Sequence, residues 1–123
     1  MLRTGALLGA VLYLTVAPPP AHAFTIMSGN DLKESCDANA ATSAGAIDVA
    51  FCMGFIRGAF EQFWAEQIRI GAIDDVCIPT SVSNQQIIDI VKVYLRDRPA
   101  ERHRPALLVV RLALGEAFPD CFG

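Results

Sequence analysis

Histidine is scarce in this chain, and the cysteines lack the spacing from which metal sites are usually built. The 123 residues include two histidines, His22 and His103, and four cysteines, none of them in a Cys-x-x-Cys pair. Such a set cannot complete the usual zinc spacings, so no metal is expected. The net charge is −3. An acidic chain repels phosphates, which argues against nucleic-acid binding.

The N-terminal apolar run is too short to cross a bilayer. Residues 5–17 form an uncharged, largely apolar run of 13 residues, whereas a spanning helix needs roughly 20. Arg3 precedes the run, and three prolines and the small-x-small residues 21–23 follow it. This order is typical of a cleavable secretory signal peptide. We therefore predict a signal peptide over 1–23 and a single domain over 24–123, with no stable membrane anchor after cleavage.

Export changes the set of residues available for chemistry. Because Arg3 and His22 leave with the signal peptide, the mature chain keeps one histidine, 9 basic and 13 acidic residues, a net charge of −4. All four cysteines remain, and an even number of cysteines in an oxidising compartment indicates disulfides. One histidine without a free thiol excludes most nucleophile–base pairs. Adjacent Asp74 and Asp75 are typical of a solvated turn. We expect neither enzymatic activity nor a cofactor.

The mature chain has the residue pattern of helices throughout. Apolar residues recur at spacings of three and four in one wide stripe, which contains Ile47, Phe51, Cys52, Phe55, Ile56, Phe60, Phe63, Trp64 and Ile68. Ser28 and Asn30 both suit the first N-cap, Ser83 and Gln86 form a capping-box pair, and Gly71 suits a helix end. The predicted helices cover about residues 31–36, 46–70, 83–96 and 105–118. We expect an all-α fold, a small bundle of four to five helices stapled by two disulfides.

Topology distinguishes among the three ways of pairing four cysteines. In an up–down bundle the first helix ends beside the start of the second, which places Cys36 near Cys52. The second helix leads to Cys77 at the opposite end, and the last helix brings Cys121 back towards it. A Cys52–Cys77 pair is the least favourable, because about 18 helical residues rise about 27 Å and about seven loop residues remain to return. We predict the pairs Cys36–Cys52 and Cys77–Cys121.

Two glycines interrupt the long helix on one face. Gly54 and Gly58 lie four residues apart, and each costs about 1 kcal/mol relative to alanine in a helix interior. Close approach of another helix is the natural compensation, so we interpret both as helix close-packing positions. The approaching helix belongs either to the same monomer or to a second copy or partner, and the sequence leaves both open.

Positive charge is concentrated in one short segment. Residues 31–75 carry eight acidic and three basic residues, whereas residues 92–111 carry six basic and two acidic residues. A charge run is often a solvated face. Four arginines around Pro99 also form a credible recognition loop, because arginine makes bidentate contacts to carboxylates. The predicted partner-binding residues are Arg96, Arg98, Arg102, His103 and Arg104.

An ordered set of motifs resembles one known family. The long helix carries Cys-x-Gly-Phe-Ile-x-Gly over residues 52–58. Further motifs follow in order: Cys77-Ile78-Pro79, Val91-x-x-Tyr94-Leu95, Pro99, Pro105-Ala106-x-Leu108-Val109, Ala113-Leu114 and Ala117-Phe118-Pro119-x-Cys121. Together they cover most of the mature chain and resemble the Rap/Tai-type immunity proteins, the periplasmic antidotes to type VI secretion amidase effectors.

The resemblance implies a non-enzymatic, periplasmic inhibitor. Proteins of this kind are small helical domains, often homodimers, that bind a peptidoglycan-cleaving cysteine peptidase and obstruct its active-site cleft with a protruding loop. A cognate amidase effector is thus the expected partner. Two alternatives share the length, the export signal and the helices: a disulfide-bonded periplasmic stress chaperone, and a small housekeeping helical domain without a toxin partner.

Overall fold

The computed structural model describes residues 17–19, 25–71, 78–79 and 81–122. Five α-helices follow one another within these ranges: α1 (Gly29–Asp37), α2 (Ser43–Arg69), α3 (Asn84–Asp97), α4 (Ala106–Ala117) and α5 (Pro119–Phe122). A 3₁₀ turn, Pro99–Glu101, separates α3 from α4. The described ranges contain no strand, and one isolated antiparallel bridge joins Ser28 to Pro105. The all-α prediction is confirmed, and α1 to α4 end within three residues of the predicted bounds.

Local capping chemistry determines where two of the helices begin. The Ser28 hydroxyl accepts a hydrogen bond from the Asp31 backbone N–H at 3.2 Å, and the Asp31 carboxylate accepts one from the Ser28 N–H at 2.8 Å. This reciprocal capping box makes Ser28, rather than Asn30, the N-cap of α1. Ser83 and Gln86 form the same arrangement at the start of α3, as predicted.

The core lies where the first four helices meet. α1 packs against α2, α3 packs against α4, and α2 also contacts α3 and α4. Each of these helices contributes side chains that are almost completely excluded from solvent, namely Leu32, Cys52, Ile56, Val91, Leu95, Val109, Val110 and Leu114. No polar or charged side chain is buried in the described part of the chain. Burial of apolar surface is therefore the main term that stabilises the bundle.

One face of α2 packs into this core, and several apolar residues elsewhere on the helix remain exposed. Cys52 and Ile56 are buried, whereas Ile47, Phe51 and Ile68 are 70%, 50% and 44% exposed. Part of the predicted apolar stripe, to which all three residues belong, is therefore exposed. A bundle of this size has too few helices to cover every apolar position of a 27-residue helix.

α2 is also the one described helix that is long and apolar enough to cross a membrane, judged by length and composition alone. Core helices of bundles pass the same test. α2 contacts three other helices and carries a disulfide cysteine. Ile70 caps its C-terminus, and Gly71 follows with φ +67°, the left-handed conformation expected of the predicted helix-end glycine.

The Cys36–Cys52 disulfide is present, as predicted, with its Cα atoms 5.1 Å apart. It joins the end of α1 to the third turn of α2. The other predicted pair falls on Cys77, which lies outside the described residues. The structure therefore confirms one of the two predicted disulfides. Most of the predicted signal peptide and the Asp74–Asp75 pair also lie outside the described residues.

Candidate functional site

The arginine-rich segment is a short connection held against the start of α1. The Gly29 N–H donates to the Arg104 carbonyl at 2.9 Å, and the Asn30 N–H donates to the Arg102 carbonyl at 2.8 Å. On the other side of the bridge, the Ala106 N–H donates to the Met27 carbonyl at 2.8 Å. These bonds satisfy first-turn N–H groups of α1 and α4 with carbonyls of a distant segment. The connection between α3 and α4 is consequently a positioned element of the fold.

Close approach at this contact requires glycine at position 29. A Cβ atom at Gly29 would lie 2.9 Å from the Arg102 carbonyl oxygen and 3.0 Å from a Val109 methyl carbon. Neither the backbone nor the buried Val109 side chain has room to move away. The sequence reasoning missed this residue, because its role depends on a segment more than 70 positions along the chain.

Arg102 has a structural role within the segment. Its Nε donates to the Leu95 carbonyl, and its Nη2 donates to the Arg96 carbonyl at 2.7 Å. Both carbonyls belong to the last turn of α3, whose oxygens have no partner within the helix. A cation at this position also compensates the negative end of the helix dipole. The guanidinium is half-buried and committed to α3.

The other three arginines are paired but remain exposed. Arg96 Nε lies 2.7 Å from Asp97, Arg98 Nη2 lies 2.7 Å from Glu116, and Arg104 Nε lies 2.7 Å from Glu101; the three arginine side chains are 67%, 51% and 42% exposed. Ion pairs in water contribute about 0–1 kcal/mol. An incoming carboxylate can therefore replace the internal partner at little cost in free energy.

The His103 ring is held by one hydrogen bond to the backbone. Its Nδ1 lies 2.8 Å from the Ala100 carbonyl oxygen. Because a carbonyl oxygen accepts hydrogen bonds, Nδ1 is the donor in this contact. The side chain is exposed. The arrangement suits a hydrogen-bonding contact to a partner, and no carboxylate bonds this ring among the described residues.

Charged side chains near the C-terminal ends of α3 and α4 act on the Tyr94 hydroxyl. Burial raises the pKa of the Tyr94 hydroxyl, with further contributions from the Glu101 and Glu116 carboxylates. The Arg98 guanidinium lies 5.8 Å from the Tyr94 ring centroid while it bonds Glu116, and that bond raises the arginine pKa. Tyr94 therefore stays protonated and Arg98 stays charged at neutral pH. Glu116 has no sequence signal as a site residue, because it stands 18 positions from Arg98.

The two glycines of α2 face away from this segment and from the other helices. A Cβ atom at Gly54 or Gly58 would meet no atom within 4 Å in the described structure. Close packing inside the monomer, one of the two predicted explanations, is therefore not observed there. Together with Ile47 and Phe51, which are 70% and 50% exposed, they form an uncharged surface that we call the α2 outer face.

The described residues contain no group of three or more His, Cys, Asp or Glu side chains that suits a metal ion. What the structure brings together is a small helical domain with one described disulfide, a held arginine-rich turn and an uncovered apolar helix face. This combination defines a class of protein, the small disulfide-bonded helical domain.

Comparison with protein families gives the particular family. The model of the Rap1a immunity proteins matches residues 28–121, which include α1 to α4, the 3₁₀ turn and all but the last residue of α5. The chain belongs to the Rap1a immunity protein family, as its motif order indicated. No curated protein and no solved structure matches the chain.

Proposed function

We propose that this protein is an exported antidote that binds a cognate peptidoglycan amidase effector of type VI secretion and blocks its active site without catalysing a reaction. The observation that carries the proposal is family membership over residues 28–121, which coincide with the helical domain. The Cys36–Cys52 disulfide fits an oxidising compartment. The signal peptide over 1–23 completes the proposal, because the amidase substrate lies in the periplasm.

The arginine-rich segment is the proposed inhibitory contact. Arg96, Arg98 and Arg104 present three exposed guanidinium groups, and His103 adds an exposed imidazole ring. Guanidinium groups bind carboxylates in bidentate geometry, so the segment suits an acidic rim of an active-site cleft. Arg102 acts through the shape of the turn, since its guanidinium bonds the α3 carbonyls.

Protection of cells tests the function directly. The full chain is co-produced with a panel of periplasm-directed type VI amidases, and lysis and complex formation by pull-down are measured. We expect protection against at least one amidase with a stoichiometric complex, and no protection from a chain that lacks residues 1–23. Absence of both protection and complex across the panel would refute the immunity proposal. Mass spectrometry of the exported chain tests the domain boundary, which predicts Phe24 as the first residue.

Charge reversal tests the contact. The double variant Arg98→Glu/Arg104→Glu is expected to lose binding of the amidase, while its helicity by circular dichroism stays unchanged. The matched control is Arg57→Glu, because Arg57 is also an exposed arginine in an ion pair but lies on α2. Equal loss in the control, or unchanged binding in the double variant, contradicts the assignment.

The α2 outer face favours a homodimer. It presents Ile47 and Phe51 beside Gly54 and Gly58, where another helix can approach the backbone closely. Apolar surface of this kind marks association sites. We expect sedimentation equilibrium to give a dimer for the mature chain and a monomer for Phe51→Asp. The control Ile26→Asp, at an exposed position outside α2, is expected to stay dimeric.

The same exposed apolar face keeps the stress-chaperone alternative testable. A chaperone would suppress the aggregation of an unfolded client such as reduced insulin, and more strongly at acidic pH. We expect no suppression at equimolar ratio, because the exposed apolar residues of α2 are covered in the dimer. Strong suppression, combined with no binding to any amidase, would favour the chaperone.

A further inference from the structure

A groove runs along the surface between α3 and α4, and we call it the α3–α4 groove. It encloses about 580 Å³. Its floor is made by apolar side chains, namely Ile90, Val93, Tyr94, Ala113 and Ala117. Alanine on the α4 side leaves space opposite the larger side chains of α3, and Val93 is 44% exposed. The described part of the chain therefore leaves an apolar cleft uncovered.

The rim of the α3–α4 groove is acidic. Its ionisable lining residues are Asp89, Asp97, Glu116 and one cation, Arg98, which is bonded to Glu116 at 2.7 Å. The Asp89 carboxylate accepts one hydrogen bond, from the Gln85 amide at 2.9 Å. The Asp97 carboxylate is in turn bonded to Arg96 at 2.7 Å. Asp89 is therefore the rim carboxylate without an arginine partner among the described residues, and the rim keeps a small excess of negative charge.

A more basic surface adjoins the groove along α3 and shares Asp89 and Val93 with it. A second, smaller concavity of about 390 Å³ is lined by Lys33, Lys92 and Arg96 in addition to Asp37 and Asp89. Three cations against two carboxylates line this second concavity, whereas carboxylates outnumber cations along the groove.

We propose that the α3–α4 groove docks a segment of a partner protein that carries an aliphatic or aromatic side chain flanked by lysine or arginine. The apolar side chain lies on the floor beside Val93 and Ala117, and the flanking cation pairs with Asp89 or Glu116. This inference rests on the proposed function in one respect, since the partner that brings the segment is the cognate amidase. Arg98 lines the groove and also belongs to the arginine-rich segment, so a single partner can cover both.

Charge and symmetry argue against a second copy as the occupant. In an isologous dimer across the groove, the two acidic rims would face one another, and like charges in contact are unfavourable. A heterologous contact could take its cation from the arginine-rich segment of a second copy, but head-to-tail contacts extend into open chains unless the rotation closes.

Peptide titration tests the chemistry of the groove without the amidase. The ¹⁵N-labelled mature chain is titrated with the hexapeptide Ac-Ala-Lys-Trp-Leu-Lys-Ala-NH₂ and with its counterpart in which glutamate replaces both lysines. We expect chemical-shift changes at Asp89, Val93 and Ala117 with the lysine peptide, weakening as salt is added, and none with the glutamate peptide. Equal binding of the two peptides, or shifts located on α2, would overturn the proposal.

Variants of the rim extend the test to the amidase. Neutralisation by Asp89→Asn/Glu116→Gln is expected to weaken peptide binding about fivefold, since an exposed ion pair contributes up to about 1 kcal/mol. The matched control Asp48→Asn/Glu61→Gln removes two exposed carboxylates from α2 and is expected to change nothing. Val93→Asp is expected to abolish binding of the peptide. Circular dichroism of each variant verifies the helical content.

The outcomes separate this inference from the proposed function. If the chain protects cells against an amidase while Asp89→Asn/Glu116→Gln and Val93→Asp bind that amidase as the wild type does, the groove proposal fails and the immunity function stands. If the lysine peptide binds the groove but no amidase binds the chain, the immunity function fails and the groove chemistry stands. Dissociation of a dimer by Val93→Asp in sedimentation equilibrium would identify a second copy as the occupant and overturn the proposal.

Discussion

Two glycine-to-alanine substitutions should change stability in opposite directions. Gly29 begins α1 directly beneath the arginine-rich turn, and its missing Cβ is what allows the close contact with the Arg102 carbonyl. Gly58 lies within α2, where a Cβ would meet no atom of the described residues within 4 Å. The chemical change is the same at both positions. The difference between the two changes in stability therefore measures the effect of the tertiary contact at Gly29.

The structure sets the magnitudes. At Gly29 the new methyl would lie 2.9 Å from a carbonyl oxygen and 3.0 Å from Val109, and overpacking of this kind costs about 1–3 kcal/mol. At Gly58 the helix gains about 0.5–1 kcal/mol, because alanine loses less backbone entropy. For a domain of this size about 1 kcal/mol corresponds to a shift of about 4–8 °C in Tm.

Urea unfolding and thermal melts, followed by circular dichroism at several protein concentrations, measure both effects. We expect Gly29→Ala to lower the Tm by about 5–15 °C and Gly58→Ala to raise it by about 2–8 °C at concentrations where the chain is monomeric. Gly29→Ala should also weaken amidase binding, because the turn moves. A Gly29→Ala variant as stable as the wild type would refute the close-contact argument, and a destabilised Gly58→Ala monomer would refute the open α2 outer face.

Three further outcomes are expected. Removal of the first disulfide by Cys36→Ala/Cys52→Ala should lower the free energy of unfolding by about 3 kcal/mol for its short loop, measured by urea denaturation; no change would contradict a stabilising cross-link. Arg102→Ala should cost about 1–2 kcal/mol, because the α3 carbonyls lose their donor, whereas Arg96→Ala should change the same measurement little; equal costs would contradict the capping role. Hydrogen bonds from Ser28 hold the pKa of Asp31 below its ordinary value of 3.8, so its stabilising contribution is complete above that value and is lost as the pH falls through the folded-state pKa. The stability difference between the wild type and Asp31→Asn should therefore shrink in acid, and a difference that is constant with pH would contradict the assignment.

Local chemistry made much of the fold predictable. The capping box at Ser83 and Gln86 depends on residues three positions apart, so the sequence alone identifies it. The Cys36–Cys52 pair followed from consecutive helices, whose adjoining ends must lie close together. The choice between Ser28 and Asn30 as the N-cap needed the structure, since both residue types favour that position.

The candidate site was predictable as a segment but not in its detail. Clustered arginines are visible in the sequence. Their distant ion-pair partners are not, because Glu116 on α4 approaches Arg98 at the end of α3 only in the folded structure. The sequence does not distinguish Arg102 from the neighbouring arginines. The structure does, because the Arg102 guanidinium donates hydrogen bonds to carbonyls at the end of α3. The apolar stripe of α2 was visible in the sequence, but the number of helices available to cover it was not, so the exposure of Ile47 and Phe51 needed the structure.

The sequence by itself determined the family, the helical fold class, the first disulfide and the position of the basic segment, because these depend on composition, periodicity and the order of short motifs. The tertiary structure decided which arginine is committed to the fold, that glycine is required at position 29, that Gly54 and Gly58 have no neighbour within the described part of the chain, and that an acidic cleft lies between α3 and α4. These features arise where separate helices meet. They depend on distances between residues far apart in the chain, which a one-dimensional pattern does not contain.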